Sequence, residues 1–315
     1  MTSNLNTKIK SIQAPAAVVM IRPHHFHPNP ETAADNAFQS TDSTSSAQAI
    51  AAIARDEVTA AAAALEAAGV RVHVFDDFGD RDTPDSVFPN NWFSTHAGGH
   101  VAIYPMYSSN RRRERRIDVI EMLKAQYRVQ DVIDYSGLEY DELFLEGTGA
   151  MVLDHLDRVA YTARSNRANA VALERFCTHF NFEPMAFDSA DSAGCAIYHT
   201  NVLMCIATEF VLIGLDMITD PVRRSEIRAR LQATGREVIA LSEQQINDFA
   251  GNAIELSTAS GRVLAMSARA AASLRPEQIQ IIERSARILP LSVPTIEMAG
   301  GSVRCMLAGI HLTRR

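Results

Sequence analysis

The chain has 315 residues, 47% apolar and 21% charged, and its 30 basic and 37 acidic side chains leave a formal net charge of −7. This is the composition of a globular chain with a sizeable core, and its acidic balance argues against a nucleic-acid or anionic-membrane surface. No run of about 18 apolar residues offers a membrane span, and four cysteines without a CxxC pair fit a reducing compartment, the cytoplasm, better than a disulfide framework.

In chain order, residues 1–13 are polar, lack an apolar signal core and are expected to form a mobile tail. Residues 17–21 form an apolar strand, and the Ser/Thr-rich segment 40–46 leads into an amphipathic helix over 47–68. After Gly69, residues 70–75 alternate as a strand. Four more helix-to-strand units follow: 111–126 then 128–133, 166–179 then 182–187, 221–233 then 237–241, and 275–287 then 288–293. Between the units lie apolar segments that can form hairpins: 92–93 with 101–104, 150–153 with 159–162, 202–206 with 210–215, and 253–256 with 263–266. The last unit has only half a hairpin, 306–312, whose partner is the opening strand 17–21. Closing a ring in this way removes an unpaired edge. The expectation is one domain over residues 1–315, a five-bladed α/β ring of ββαβ units.

The residues at the start of each hairpin are Asn91, Glu146, His199, Asn252 and Cys305, separated by 55, 53, 53 and 53 positions. Equivalent positions in a closed ring face one another around its axis. Cysteine, histidine and glutamate brought together supply a nucleophile, a general acid/base and a carboxylate. Taken singly, Cys305 in an apolar run is a packing residue and His199 a structural imidazole; the common phase is what favours chemistry. Cys177, Cys195 and Cys205 lack that phase. One Cys, one His, one Glu and two Asn make a poor zinc set. His24, His25 and His27 are spaced as a solvated loop. No metal and no cofactor are expected.

Several segments resemble the guanidine-modifying superfamily with the pentein fold, which includes arginine and agmatine deiminases, dimethylarginine dimethylaminohydrolases and amidinotransferases. Residues 84–91, PDSVFPNN, are similar to a dimethylargininase segment. Residues 145–149, LEGTG, resemble the deiminase Leu-Glu-Gly-Gly-Asp motif, and 164–166, RSN, an Arg-Thr-Asn segment. His199-Thr200-Asn201 resembles His-x-Asp, and residues 300–305, GGSVRC, the glycine-rich approach to a nucleophilic cysteine. The citrulline-utilisation hydrolase group is the most similar, through residues 20–23, 29–33 and 36–39.

The resemblance implies a pentein fold and a Cys305, His199 and Glu146 catalytic set. Asn91 and Asn201 stand where enzymes acting on guanidinium cations usually carry carboxylates, and Gly149 replaces an acidic residue. Two amides do not offset the desolvation of a cation, but they suit a neutral ureido group, which both donates and accepts. The implied substrate is therefore citrulline, hydrolysed to ornithine, ammonia and carbon dioxide. Asp85 and Arg164 are candidates for the substrate's α-ammonium and α-carboxylate. Asn91, Asn201 and Asn252 are further candidate substrate contacts, although for Asn252 a turn or structural amide opposite the site is slightly the better reading. An arginine deiminase or amidinotransferase, or a non-catalytic binding protein of the same fold, are the alternatives. The expected partner is a small amino-acid substrate rather than nucleic acid or membrane, with a homo-oligomer left open.

Overall fold

The computed structural model describes residues 11–40 and 46–315. Strand β1 (Ala17–Pro23) leads through helix α1 (Ala47–Ala67) to the parallel strand β2 (Arg71–Asp77). Each later blade opens with an antiparallel pair and closes with a third strand parallel to the second. These blades are β3 (Phe93–His96), β4 (His100–Ile103) and β5 (Asp131–Asp134); β6 (Met151–Asp154), β7 (Val159–Ala163) and β8 (Glu183–Phe187); β9 (Met204–Ile206), β10 (Phe210–Ile213) and β11 (Glu237–Ala240); and β12 (Ile254–Thr258), β13 (Gly261–Ser267) and β14 (Arg287–Leu291). Helices α2 (Ile117–Gln126), α3 (Ala170–Phe180), α4 (Pro221–Gln232) and α5 (Pro276–Glu283) make the parallel crossovers. The short strand β15 (Ala308–Gly309) returns antiparallel to β1, pairing Val18 with Gly309 and Val19 with Ala308. The result is the pentein arrangement, five three-stranded sheets around an axis.

Local chemistry explains the elements. Helix α1 buries Ile50, Ala54, Val58, Ala61 and Leu65, a stripe spaced three and four residues apart, and Ser46 caps its start by accepting from the Ala49 N–H. Its end is a Schellman turn: Val70 N–H donates to Leu65 and Gly69 N–H to Glu66, with Gly69 at φ +94°, a conformation that glycine adopts without strain. Buried apolar side chains fill the spaces between the blades and their helices, as in Phe176 and Leu173 of α3 packed with Tyr104 and Met151.

The sequence expectations shift where the chain approaches the axis. The expected strands beginning at residues 150 and 202 start later, because Gly147–Ala150 and Thr200–Leu203 are single helical turns. The expected strand 306–312 pairs with β1 only over Ala308–Gly309, and Val303–Met306 is again a turn of helix. Apolar turns buried at the centre have the same composition as strands. The expected helix 111–126 breaks at Arg115 into a tight turn, Asn110–Glu114, and α2. The expected helix 166–179 begins only at Ala170, where Asn169 caps it by accepting from Val171 N–H.

Of the expected mobile tail, residues 1–10 lie outside the described residues, as do 41–45 of the helix lead-in. Gln13, however, is fixed. Its amide donates to the carbonyls of Leu153 and Ile206, both at 3.0 Å, and accepts from His155 N–H at 2.9 Å. One side chain thus ties the blade of β6–β8 to the blade of β9–β11. Gln13→Ala should lower the unfolding free energy by about 1–3 kcal/mol by leaving these groups without partners. Urea denaturation checks this, and an unchanged midpoint would show that the strap contributes nothing.

Candidate active site

The five positions read as equivalent do meet at the axis. Asn91 ends the tight turn Pro89–Asn91, Glu146 and His199 each precede a helical turn, Asn252 precedes β12, and Cys305 lies in the turn Val303–Met306. All are buried, none more than 2% exposed, as is Asn201. His199 Nε2 lies 2.8 Å from Glu146 Oε2. With the carboxylate accepting, Nε2 carries the proton and Nδ1 is left as the basic nitrogen. Cys305 Sγ accepts from Asn252 Nδ2 at 3.2 Å and Asn201 Nδ2 at 3.3 Å. Both amides were expected as candidate substrate contacts, with Asn252 also read as a structural amide; here both donate to the sulfur, and Asn252 is further held by the Asn201 carbonyl and Arg304 N–H.

Gly149 explains how the ring closes so tightly. A Cβ there would lie 2.0 Å from Asn91 Nδ2 and 2.9 Å from His199 Nδ1. Any side chain at that position would have to displace the Asn91 amide and the His199 ring, so glycine in place of an acidic residue also has a steric reason.

Around this centre lies a charge network that sequence reasoning missed. Arg111 is buried and donates to Glu114 through Nε at 2.8 Å and Nη2 at 3.0 Å. It also reaches Asn91 Oδ1 at 3.0 Å and Glu146 Oε2 at 3.4 Å. Arg167, 1% exposed, pairs with Asp35 at 2.5 Å and lies 3.5 Å from Glu146 Oε2. Arg111 was hidden at the start of the helix expected over 111–126, and Arg167 in the helix expected over 166–179. The available signal was the i,i+3 pair of Arg111 and Glu114. Glu146 is also not the site's one carboxylate: Asp85, Glu114 and Asp35 are beside it, matched against two resident guanidinium groups.

These neighbours set the ionisation of the site. Burial alone would favour neutral Glu146, but Arg167, the His199 hydrogen bond and Arg111 outweigh it and hold the carboxyl well below the usual range. Burial pushes the His199 imidazole down to about 4, against the pull of Glu146. Burial, reinforced by Asp85 and Glu146, pushes the Glu114 carboxyl up to about 7 in spite of Arg111.

Asp85 belongs to this buried network. It accepts from Asn29 Nδ2 at 2.8 Å, and its Oδ1 has no partner among the described residues. Arg164 is not brought to the central group. Its guanidinium pairs with Asp188 at 3.1 Å on the surface, both side chains more than half exposed. Its neighbour Ser165 does border the centre, donating to the carbonyl of Tyr198 at 2.8 Å. The segment from Asn29 to Gln39 covers the site through Asn29 on Asp85, Asp35 on Arg167, and Asn36 Nδ2 on the Ala299 carbonyl at 3.0 Å. Burial pushes the Cys177 and Cys205 thiols up to about 12, and Cys195 is exposed.

A family model described as N,N dimethylarginine dimethylhydrolase, eukaryotic, matches residues 22–312. The chain belongs to this dimethylarginine dimethylhydrolase family. No curated protein matches it. Among solved structures, the substrate-bound N-terminal domain of ArgZ, an arginine dihydrolase from cyanobacteria, shares 15% identity and a TM-score of 0.70 over 94% of this chain and 98% of that one. Unliganded AgrE shares 17% identity and a TM-score of 0.73 over 95% of this chain and 40% of its own length. DDAH from Pseudomonas aeruginosa, complexed with citrulline, shares 14% identity and a TM-score of 0.61 over 96% of this chain and 100% of that one. At these identities the likeness establishes the fold. Among the described residues of this dimethylarginine dimethylhydrolase family member, no helix is long and apolar enough to cross a membrane.

Two outcomes follow from the geometry. Gly149→Ala should reduce kcat at least about 100-fold while the protein still folds, because a displacement of about 1 Å at a reacting centre is that costly; activity assays with circular dichroism check it. The second is a pH effect. The folded His199 binds its proton near 4, below the ordinary 6.5, so the unfolded chain takes up the proton first as pH falls. Relative to His199→Gln, the wild type should therefore lose stability between pH 6.5 and 4, by up to about 3 kcal/mol. Denaturation at a series of pH values measures it, and parallel curves would mean that the imidazole is not held neutral.

Proposed function

We propose that this chain is a cysteine hydrolase that cleaves the ureido group of citrulline, giving ornithine, ammonia and carbon dioxide. The observation that supports this most is the orientation of two amides. Arg111 donates to Asn91 Oδ1, which leaves Asn91 Nδ2 as a buried donor without a partner among the described residues. Asn201 donates to Cys305, which leaves its Oδ1 as a buried acceptor likewise without a partner among the described residues. A guanidinium has only N–H donors and would meet the Asn91 N–H with another N–H. A ureido group presents one carbonyl and one NH2, a match for one free donor and one free acceptor. The two buried arginines also occupy the carboxylates that would otherwise neutralise a cationic substrate.

The chemistry then runs in two stages. The Cys305 thiolate attacks the ureido carbon, and His199, held at Nε2 by Glu146, takes up a solvent proton at Nδ1 and passes it to the departing ammonia as the C–N bond breaks, the attacking water of the second stage later giving a proton back. Water then replaces the sulfur with His199 as base, and the released carbamate loses carbon dioxide to leave ornithine. Arg164 at the rim suits the α-carboxylate if it exchanges Asp188 for substrate, and Asp85 suits a donor group of the substrate through its free Oδ1. The closure of β15 on β1 supports reading residues 1–315 as one domain.

Asp85 also favours a second reading. A buried carboxylate oxygen without a partner fits an arginine-type guanidinium, and ArgZ is described as an arginine dihydrolase. Ornithine could then arise from arginine through two successive hydrolyses at Cys305. Separate incubation with citrulline and arginine, followed by amino-acid analysis, distinguishes the two. Ornithine from citrulline is the expected outcome, and citrulline accumulating from arginine would replace the proposal with a deiminase. Asn91→Asp should shift the relative affinity of the Cys305→Ala protein from citrulline toward arginine by about tenfold or more, since it adds a charge in a dry site. Calorimetric titration with both ligands reads it. Arg164→Ala should raise KM and leave kcat nearly unchanged.

A further inference from the structure

Cys305 Sγ is approached by two side-chain N–H groups from two different blades. Asn252 Nδ2 lies at 3.2 Å and Asn201 Nδ2 at 3.3 Å. The Asn252 amide can take only one orientation. Its Oδ1 accepts from Arg304 N–H at 3.0 Å, and its Nδ2 also donates to the Asn201 carbonyl at 2.9 Å. Flipping it would set N–H against N–H and oxygen against oxygen. The donor toward the sulfur is therefore enforced by backbone groups on both sides.

We infer that Asn201 and Asn252 are positioning residues that hold Cys305 as a thiolate and aim its free lone pair at the substrate carbon. Two N–H donors on one sulfur stabilise negative charge and offer nothing to a thiol proton. The inference rests on Cys305 being the nucleophile.

The surrounding groups leave the hydrogen bonding of the sulfur to the amides, while the Arg304 guanidinium adds its charge in the same direction. His199 Nε2 is committed to Glu146 at 2.8 Å, and no hydrogen bond joins the imidazole to the sulfur. Tyr198 directs its hydroxyl away, to the Gly300 carbonyl at 2.6 Å. Arg304, on the same turn as Cys305, donates to the Leu307 carbonyl at 2.9 Å. Glu146 lies behind His199, and its charge is taken up by Arg111 and Arg167. A cationic substrate would help to expel the thiol proton by its own charge. A neutral ureido group gives no such help, so the protein must provide the stabilisation before substrate arrives.

The experiment measures the rate of iodoacetamide labelling of Cys305, located by peptide mapping, from pH 6 to 10 without substrate. Asn201→Ala and Asn252→Ala should each slow labelling about tenfold at pH 7 and converge on the wild-type rate at pH 10. Asn201→Asp, which keeps the shape but places a carboxylate oxygen near sulfur, should slow it further at pH 7, and it decides the matter if an alanine variant fails to fold. Wild-type pH profiles in these variants would overturn the inference. A uniform loss of rate at every pH would also do so, since it reports access alone. The nucleophile itself is tested separately: turnover by Cys305→Ala would remove the proposed function and leave the labelling profiles to report on the amides.

Discussion

The candidate site is organised by one buried guanidinium. Arg111 extends from a tight turn that interrupts the chain before α2 and reaches Glu114, Asn91 and Glu146 at once. A buried cation is tolerated only when its donors are satisfied and its charge is met, so Arg111 forces acidic partners around it. In return it orients the Asn91 amide and, with Arg167, keeps Glu146 ionised in a place where burial alone would protonate it. Ionised Glu146 in turn fixes which nitrogen of His199 carries the proton. A tautomer, an amide rotamer and a carboxylate charge thus depend on two side chains, Arg111 and Arg167, outside the cysteine, histidine and glutamate set.

Low dielectric makes each of these links strong and also costly to disturb. The cover formed by Asn29 to Gln39 contributes by lying directly on the network, with Asp35 on Arg167 and Asn29 on Asp85.

The fivefold fold was legible because its signal is repetition: helix, breaker and strand recur, and the phase of Asn91, Glu146, His199, Asn252 and Cys305 needs no knowledge of side-chain direction. The charge network was not legible, because its direction depends on backbone that departs from regular structure. Arg111 in a continuous helix would have been one arginine of a solvated run; the break at Arg115 turns it inward. Arg167 was assigned to a helix that starts three residues later, at Ala170. The partners of Asn201 and Asn252 were equally hidden, since an amide that faces a substrate and one that faces a sulfur have the same sequence. Arg164 shows the converse: its motif pointed to the site, while its side chain rests on Asp188 at the surface.

The closure of β15 on β1 couples Cys305, the proposed nucleophile, to the whole chain. Cys305 lies a few residues before a two-residue ladder whose partners, Val18 and Val19, are at the other end of the chain. Contacts of such sequence separation form late, since the loop entropy they cost is recovered only when the intervening blades are in place. A chain still emerging during synthesis, or one nicked between blades, would carry the cysteine without the geometry that makes it reactive. The axial group of Asn91, Glu146, His199, Asn252 and Cys305 is therefore complete only once all five blades have assembled.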